Sequence, residues 1–186
     1  MTILKELSVG KIIIGPQGKI SEQYIELCKI AKEKEIPIIN VKRGNFINIE
    51  RNVKINILFP TDELIKDNIL NNNSIVARLE YKDLKILFTG DIEEIAEKEL
   101  LKLYDKGELK ADILKVGHHG SKTSTSKEFL NAISPSTVMI GVGENNTFGH
   151  PNKQVINRFK EIGAKIYRTD KMGEIIIKYK NNNSWK

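Results

Sequence analysis

Apolar runs of strand length, each cut off by a turn residue, recur from end to end of this sequence, and two kinds of connection join them. Lys11-Ile12-Ile13-Ile14-Gly15 reads as a short buried strand ending at a turn. A helix follows, capped by Ser21, with Tyr24, Leu27, Cys28 and Ala31 at helical spacing. Pro37 stops it before a second strand from Ile38 to Val41, which completes a strand–helix–strand unit. Elsewhere the joints are tight turns. Phe46 to Glu50 and Lys54 to Phe59 read as strands, and Ser74 to Glu80 returns through Tyr81-Lys82-Asp83 into Leu84 to Phe88. Hairpins mixed with strand–helix–strand units call for an α/β fold: a layered sheet with its helices outside.

The second half repeats the alternating plan. Ile92, Ile95, Leu100 and Leu103 form one helical stripe, and Asp112 to Val116 is the next strand. Thr125 and Glu128 have capping-box spacing for a helix carrying Phe129, Leu130 and Ile133. Thr137 to Gly141 is a strand. Pro151 suits the first position of a helix carrying Val155, Phe159 and Ile162, with Gly163 as its stop. Lys165 to Arg168 and Glu174 to Tyr179 are expected as the last strands. Between these elements, Thr61 to Asn73 is expected as a loop. The plan is one domain over 1–180 with a polar, frayed tail at 181–186.

The 186 residues suffice for one real core, with 40% hydrophobic and 29% charged content. No apolar run reaches membrane-spanning length, and no basic-then-apolar leader opens the chain, so the default expectation is the cytoplasm. Cys28 is the sole cysteine, which excludes an internal disulfide; its place on an apolar helix face reads as a buried small hydrophobe. The net charge of +6 suits a polyanion such as DNA or another nucleic acid, although the lysines behind it are spread along the chain.

Against this scaffold the chemistry-bearing residues stand out. All three histidines lie in turns after apolar runs: His118 and His119 in Leu114-Lys115-Val116-Gly117-His118-His119-Gly120-Ser121, and His150 in Phe148-Gly149-His150-Pro151. Asp91 closes Leu87-Phe88-Thr89-Gly90-Asp91. Imidazole and carboxylate on loops just past strands are the usual ingredients of a hydrolytic metal site. Each residue also has an ordinary reading. Asp91 would cap the helix beginning at Ile92, and His150 would be a turn or cap residue. In an extended chain His118 and His119 would point to opposite faces, so one of them would serve as a partner rather than a ligand. Ser121, Lys122, Thr123, Ser124 and Thr125 read as a capping loop, or as a phosphate cradle at a helix start. Arg168 is a turn residue or a phosphate contact. Asn145 and Asn146 suit their turn.

Taken together and in this order, Leu87 to Asp91, Leu114 to Ser121, Phe148 to Pro151 and Tyr167-Arg168-Thr169-Asp170 with Gly173 closely resemble the metallo-β-lactamase-like domain of ComEC-type competence proteins and its free-standing bacterial relatives. The resemblance runs from about Val9 to Tyr179. It implies a metallo-β-lactamase-like αββα sandwich and a divalent-metal hydrolase ancestry, with Zn or Mn as the metal and phosphodiester bonds of nucleic acid as the substrate. It places Asp91 as a metal ligand, and His118 or His119 as another, His118 being favoured. It assigns His150 to the phosphate or leaving group. The superfamily's main ligand motif, His-x-His-x-Asp-His, has no counterpart here, and Asn72-Asn73-Ser74 stands where many members carry a further histidine. The resemblance therefore implies a sandwich incomplete at its N-terminal sheet and a chain weak or inactive in isolation, with an extracytoplasmic setting open. A non-catalytic, basic nucleic-acid-binding module and a non-functional remnant are the other readings.

Overall fold

The computed structural model describes residues 1–180 and 184–185. It opens with a short helix α1 (Thr2–Glu6), then β1 (Ile12–Ile14), α2 (Glu22–Glu33) and β2 (Ile38–Asn40). Ser21 caps α2 by accepting from the Tyr24 N–H at 3.2 Å, as its sequence position predicts. β1 and β2 pair in parallel, which the intervening helix permits. α1 and α2 close over this pair through an apolar cluster of Leu4, Ile30, Ala31 and Ile36, with Ile12, Leu27 and Ile38 packed against it. Cys28 is only half-buried, because the helix turns Ile30 and Ala31 more squarely onto the strands.

The remaining strands are β3 (Phe46–Glu50), β4 (Val53–Phe59), β5 (Val76–Tyr81), β6 (Leu84–Phe88), β7 (Ile113–Lys115), β8 (Thr137–Ile140) and β9 (Lys165–Arg168). They form one seven-stranded sheet in sequence order, antiparallel from β3 to β6 and parallel from β6 to β9. The switch follows from the connections. Tight turns join β3 to β4 and β5 to β6, and the long 60–75 loop joins β4 to β5, while α3 (Glu94–Leu103), α4 (Lys127–Ile133) and α5 (Lys153–Glu161) cross over between the last four. These helices bury Ala96, Leu100, Phe129, Leu130, Ile133, Val155 and Phe159 against Leu87, Leu114, Val138 and Ile140 of the sheet. Each such side chain contributes about 1.5–3 kcal/mol by leaving water.

The small sheet docks on the large one at Gly15, where a Cβ would sit 3.3 Å from Ile75 and 3.8 Å from Pro60. The architecture is the expected α/β fold with a mixed sheet and outer helices; among the described residues one sheet has seven strands and the sheet docked on it, β1–β2, has two.

Four local expectations change. The capping box at Thr125 gives way to Ser126, which accepts from the Phe129 N–H; the Thr125 N–H is taken by the Glu97 carboxylate instead. Pro151 lies ahead of α5, whose N-cap is Asn152 accepting from the Gln154 N–H at 2.9 Å. Past β9 the chain turns into α6 (Thr169–Met172), because the Thr169 hydroxyl bridges the N–H and C=O of Val142. The run from Glu174 to Lys178 then carries no strand. Tyr179–Lys180 (β10) pairs with Ser184–Trp185 (β11), so that part of the expected frayed tail is paired; 181–183 and 186 lie outside the described residues.

Candidate metal and phosphate site

Because β6 to β9 run parallel, their carboxyl ends share one edge of the sheet, the usual place for a ligand in such sheets. Asp91 follows β6, His118 and His119 follow β7, His150 follows β8 and Arg168 ends β9. The sequence-predicted residues are thus delivered to one rim by topology alone.

Local chemistry sets each of them. Gly90 adopts φ +52°, and a Cβ there would lie 2.6 Å from Ser74 Cβ, so only glycine lets the chain turn here. The turn puts the Asp91 N–H 3.2 Å from Ser74 Oγ and the Gly90 carbonyl 3.0 Å from the His118 N–H. Asp91 is not a helix cap: the N-cap position of α3 belongs to Glu93. Its carboxylate is half-exposed and faces the rim.

His118 and His119 do not continue β7. Both adopt left-handed backbone, φ 45° and 54°, inside a tight turn from Gly117 to Gly120. Non-glycine residues pay about 1–3 kcal/mol each for such conformations. The turn is held by Ser121 N–H to the His118 carbonyl (2.8 Å), Ser124 hydroxyl to the Gly117 carbonyl (3.0 Å) and Asn152 N–H to the Gly120 carbonyl (2.8 Å). Ser121 and Ser124 are buried in these contacts. Ser121 and Ser124 thus act as a capping loop for the turn.

The two imidazoles part company. His119 Nδ1 lies 2.6 Å from the Gly141 carbonyl, and its Nε2 lies 3.8 Å from Asp91 Oδ1. A carbonyl only accepts, so Nδ1 carries a proton, and in the neutral ring Nε2 presents a lone pair to the carboxylate. Two acceptors facing each other at that distance suit a shared cation. The His118 ring turns the other way, with Nδ1 3.4 Å from Glu93 Oε1 and its face 5.8 Å from the His150 ring. So it is His119, and not the favoured His118, that faces Asp91. Among the described residues no three His, Cys, Asp or Glu side chains converge as a metal-binding group.

His150 is reached through Asn146, whose amide spans its backbone: Oδ1 accepts from the His150 N–H at 2.9 Å, and Nδ2 donates to the His150 carbonyl at 2.8 Å. Asn146 thus does more than fill a turn. Burial, and then the neighbouring His118 and His119, push the His150 pKa below its ordinary value. Phe148, 81% exposed, stacks on the His150 ring at 6.0 Å. Arg168 is engaged by Asp170 in a two-pronged ion pair, 2.9 and 2.5 Å, which removes it as a free phosphate contact.

Two further residues belong to the rim. Lys115, half-buried at the end of β7, is pushed down by burial and pulled back by the charge of Asp91. Glu93 is nearly enclosed. Burial raises its pKa, but hydrogen bonds from Asn68, Thr123 and Asn72 and the charge of His118 outweigh it and leave the carboxyl below its usual range. In sequence Glu93 reads as an ordinary acidic residue at a helix start; its spacing of two from Asp91 is the only cue to the site.

The fold is metallo-β-lactamase-like. Residues 68–143 match the Metallo-beta-lactamase superfamily model. Among solved structures, the diiron β-hydroxylase CmlA of Streptomyces venezuelae superposes with a TM-score of 0.55 at 9% identity, covering 89% of this chain and 39% of that one. A putative metal-dependent hydrolase of Parabacteroides distasonis gives 0.50 at 15% identity, over 85% and 76%. Within that class the chain is a relative of the ComEC-type competence proteins. It is 36% identical over 180 residues to ComE operon protein 3 of Bacillus subtilis, covering 96% of this chain and 22% of that protein. It is 39% identical over 105 residues to competence protein ComA of Neisseria gonorrhoeae, covering 56% of this chain and 15% of that one. It thus spans less than a quarter of the length of either relative. No helix of the described residues is long and apolar enough to cross a membrane.

Proposed function

We propose that this chain is a competence-type metallo-β-lactamase-fold domain whose ancestral chemistry is metal-dependent phosphodiester hydrolysis of nucleic acid, and that the chain alone is weak or inactive as a hydrolase. The observation that carries the reading is the pair of acceptors Asp91 Oδ1 and His119 Nε2, 3.8 Å apart, with the other nitrogen of His119 committed to the Gly141 carbonyl. That pair fits two positions of a Zn or Mn site; a catalytic site of this type holds its ion with three protein ligands. A bound divalent ion supplies a Lewis acid and an activated water at neutral pH. His150, whose backbone Asn146 holds and whose ring lies 5.8 Å from that of His118, would in this reading hydrogen-bond a phosphate oxygen or the leaving oxygen. The relation to competence-type proteins and the net charge of +6 favour nucleic acid as the polyanion.

The test is turnover. Loaded with Mn or Zn, the chain is expected to cleave an activated phosphodiester or DNA barely above background. Robust hydrolysis abolished by Asp91→Ala would overturn the inactivity. A non-catalytic nucleic-acid module is the second reading, favoured by the same charge combined with only two converging ligands. It requires salt-sensitive DNA binding that chelator and His118→Ala leave unchanged. Undetectable binding at low salt would end it.

A further inference from the structure

We propose that Glu93 is a positioning residue that fixes which nitrogen of His118 carries the proton. His118 Nδ1 is fully buried and has no hydrogen-bond partner; the closest charged group is Glu93 Oε1 at 3.4 Å. A buried polar atom left unpaired costs about 1–3 kcal/mol, so a small rotation of the ring toward the carboxylate is favoured. A carboxylate at this depth accepts and does not donate, so the nitrogen facing it carries the proton. Nε2 is then bare and available to an ion or to a proton of the substrate.

What makes Glu93 fit for this is that it cannot swing away. Its N–H donates to Asn72 Oδ1 at 2.9 Å, Oε2 accepts from Asn68 Nδ2 at 3.0 Å, and Oε1 accepts from the Thr123 hydroxyl at 2.8 Å. These anchors come from the loop before β5 and the loop after the histidine turn. His118 is equally fixed, by its N–H to Gly90 and its carbonyl to Ser121. The adjacent imidazoles are thus set by two separate acceptors, a carboxylate for His118 and the Gly141 carbonyl for His119. Carboxylate or carbonyl partners of this kind orient histidine ligands in metal sites generally. The inference about the tautomer stands on the geometry; its value to an ion rests on the metal-centre reading above.

The experiment is nitrogen-15 NMR of the metal-free chain, the three imidazoles being assigned with His119→Gln and His150→Gln. The wild type is expected to show His118 protonated on Nδ1. In Glu93→Gln, Asn68 claims the amide oxygen and the NH2 group turns to His118, so the proton should move to Nε2; Glu93→Asp should restore the Nδ1 form. Wild-type His118 protonated on Nε2, or a mixture of the two forms, overturns the proposal. So does a folded Glu93→Gln variant with an unchanged tautomer. Should that variant fail to fold, the wild-type spectrum alone decides. Mn titration runs in parallel: Glu93→Gln is expected to bind about tenfold more weakly or worse. A wild type that shows the Nδ1 form and its switch in Glu93→Gln, yet binds no Mn, upholds Glu93 and removes only the metal-centre reading.

Discussion

Glu97→Ala is expected to lower the stability of the fold by about 2–4 kcal/mol, read as a clear drop in the thermal or urea midpoint. Glu97 is 1% exposed, inside the α3–α4 contact. Its two carboxylate oxygens accept from the N–H groups of Thr125 and Ser126, the latter at 2.8 Å. Those groups open α4 and have no partner within the helix. Arg158 closes the other side by donating to the carbonyls of Ser124 and Thr125, at 3.2 and 2.8 Å. Alanine leaves two buried donors unpaired and opens a cavity under the loop that follows the histidine turn. The pH dependence has a definite sign. Burial raises the Glu97 pKa more than its hydrogen bonds lower it. The stability linked to that shift is complete below the ordinary glutamate range and is lost as pH rises through the folded value. The wild type should therefore weaken with rising pH in that interval, and Glu97→Ala should lose this part of the dependence.

Asp91→Ala is expected to weaken Mn or Zn binding by more than about a hundredfold, measured by calorimetry or by Mn electron spin resonance. His119→Ala should match it, and the double variant should add little, because either change alone leaves a single ligand at that edge. Stability should change little in Asp91→Ala, since the Asp91 N–H, not its side chain, makes the bond to Ser74. Equal affinity in wild type and Asp91→Ala would remove the pair as an ion site. Because the site offers two converging ligands, wild-type affinity itself is expected to be modest.

The scaffold was legible in sequence where punctuation coincides with periodicity. Pro37 and Gly163 stop the helices where expected, and the turn at Lys82-Asp83 returns β5 into β6. The strand expected from Glu174 to Tyr179 failed because alternation says nothing about whether a partner strand lies within reach; Thr169 bonds to Val142 and turns the chain away first. At the site, the types of residue were legible and their directions were not. Adjacent histidines after a strand suggest opposite faces, and they do diverge, but through a left-handed turn that no periodicity reveals. Glu93 and Asn146 escaped notice for a related reason. An acidic residue at a helix start and an asparagine in a turn are fully explained locally, and only tertiary neighbours show that each lies against a histidine.

The left-handed pair His118–His119 also sets a limit on improving this protein by selection for heat resistance alone. Glycine occupies that backbone region without strain, and asparagine nearly so. Replacement of either histidine by glycine relaxes the turn, and the relief competes with the packing lost with the ring. A library screened only for survival on heating would be drawn toward such replacements at 118 and 119, erasing the imidazoles while leaving the sheet and helices intact. In this chain robustness and an intact rim are then opposing demands, meeting in two consecutive residues.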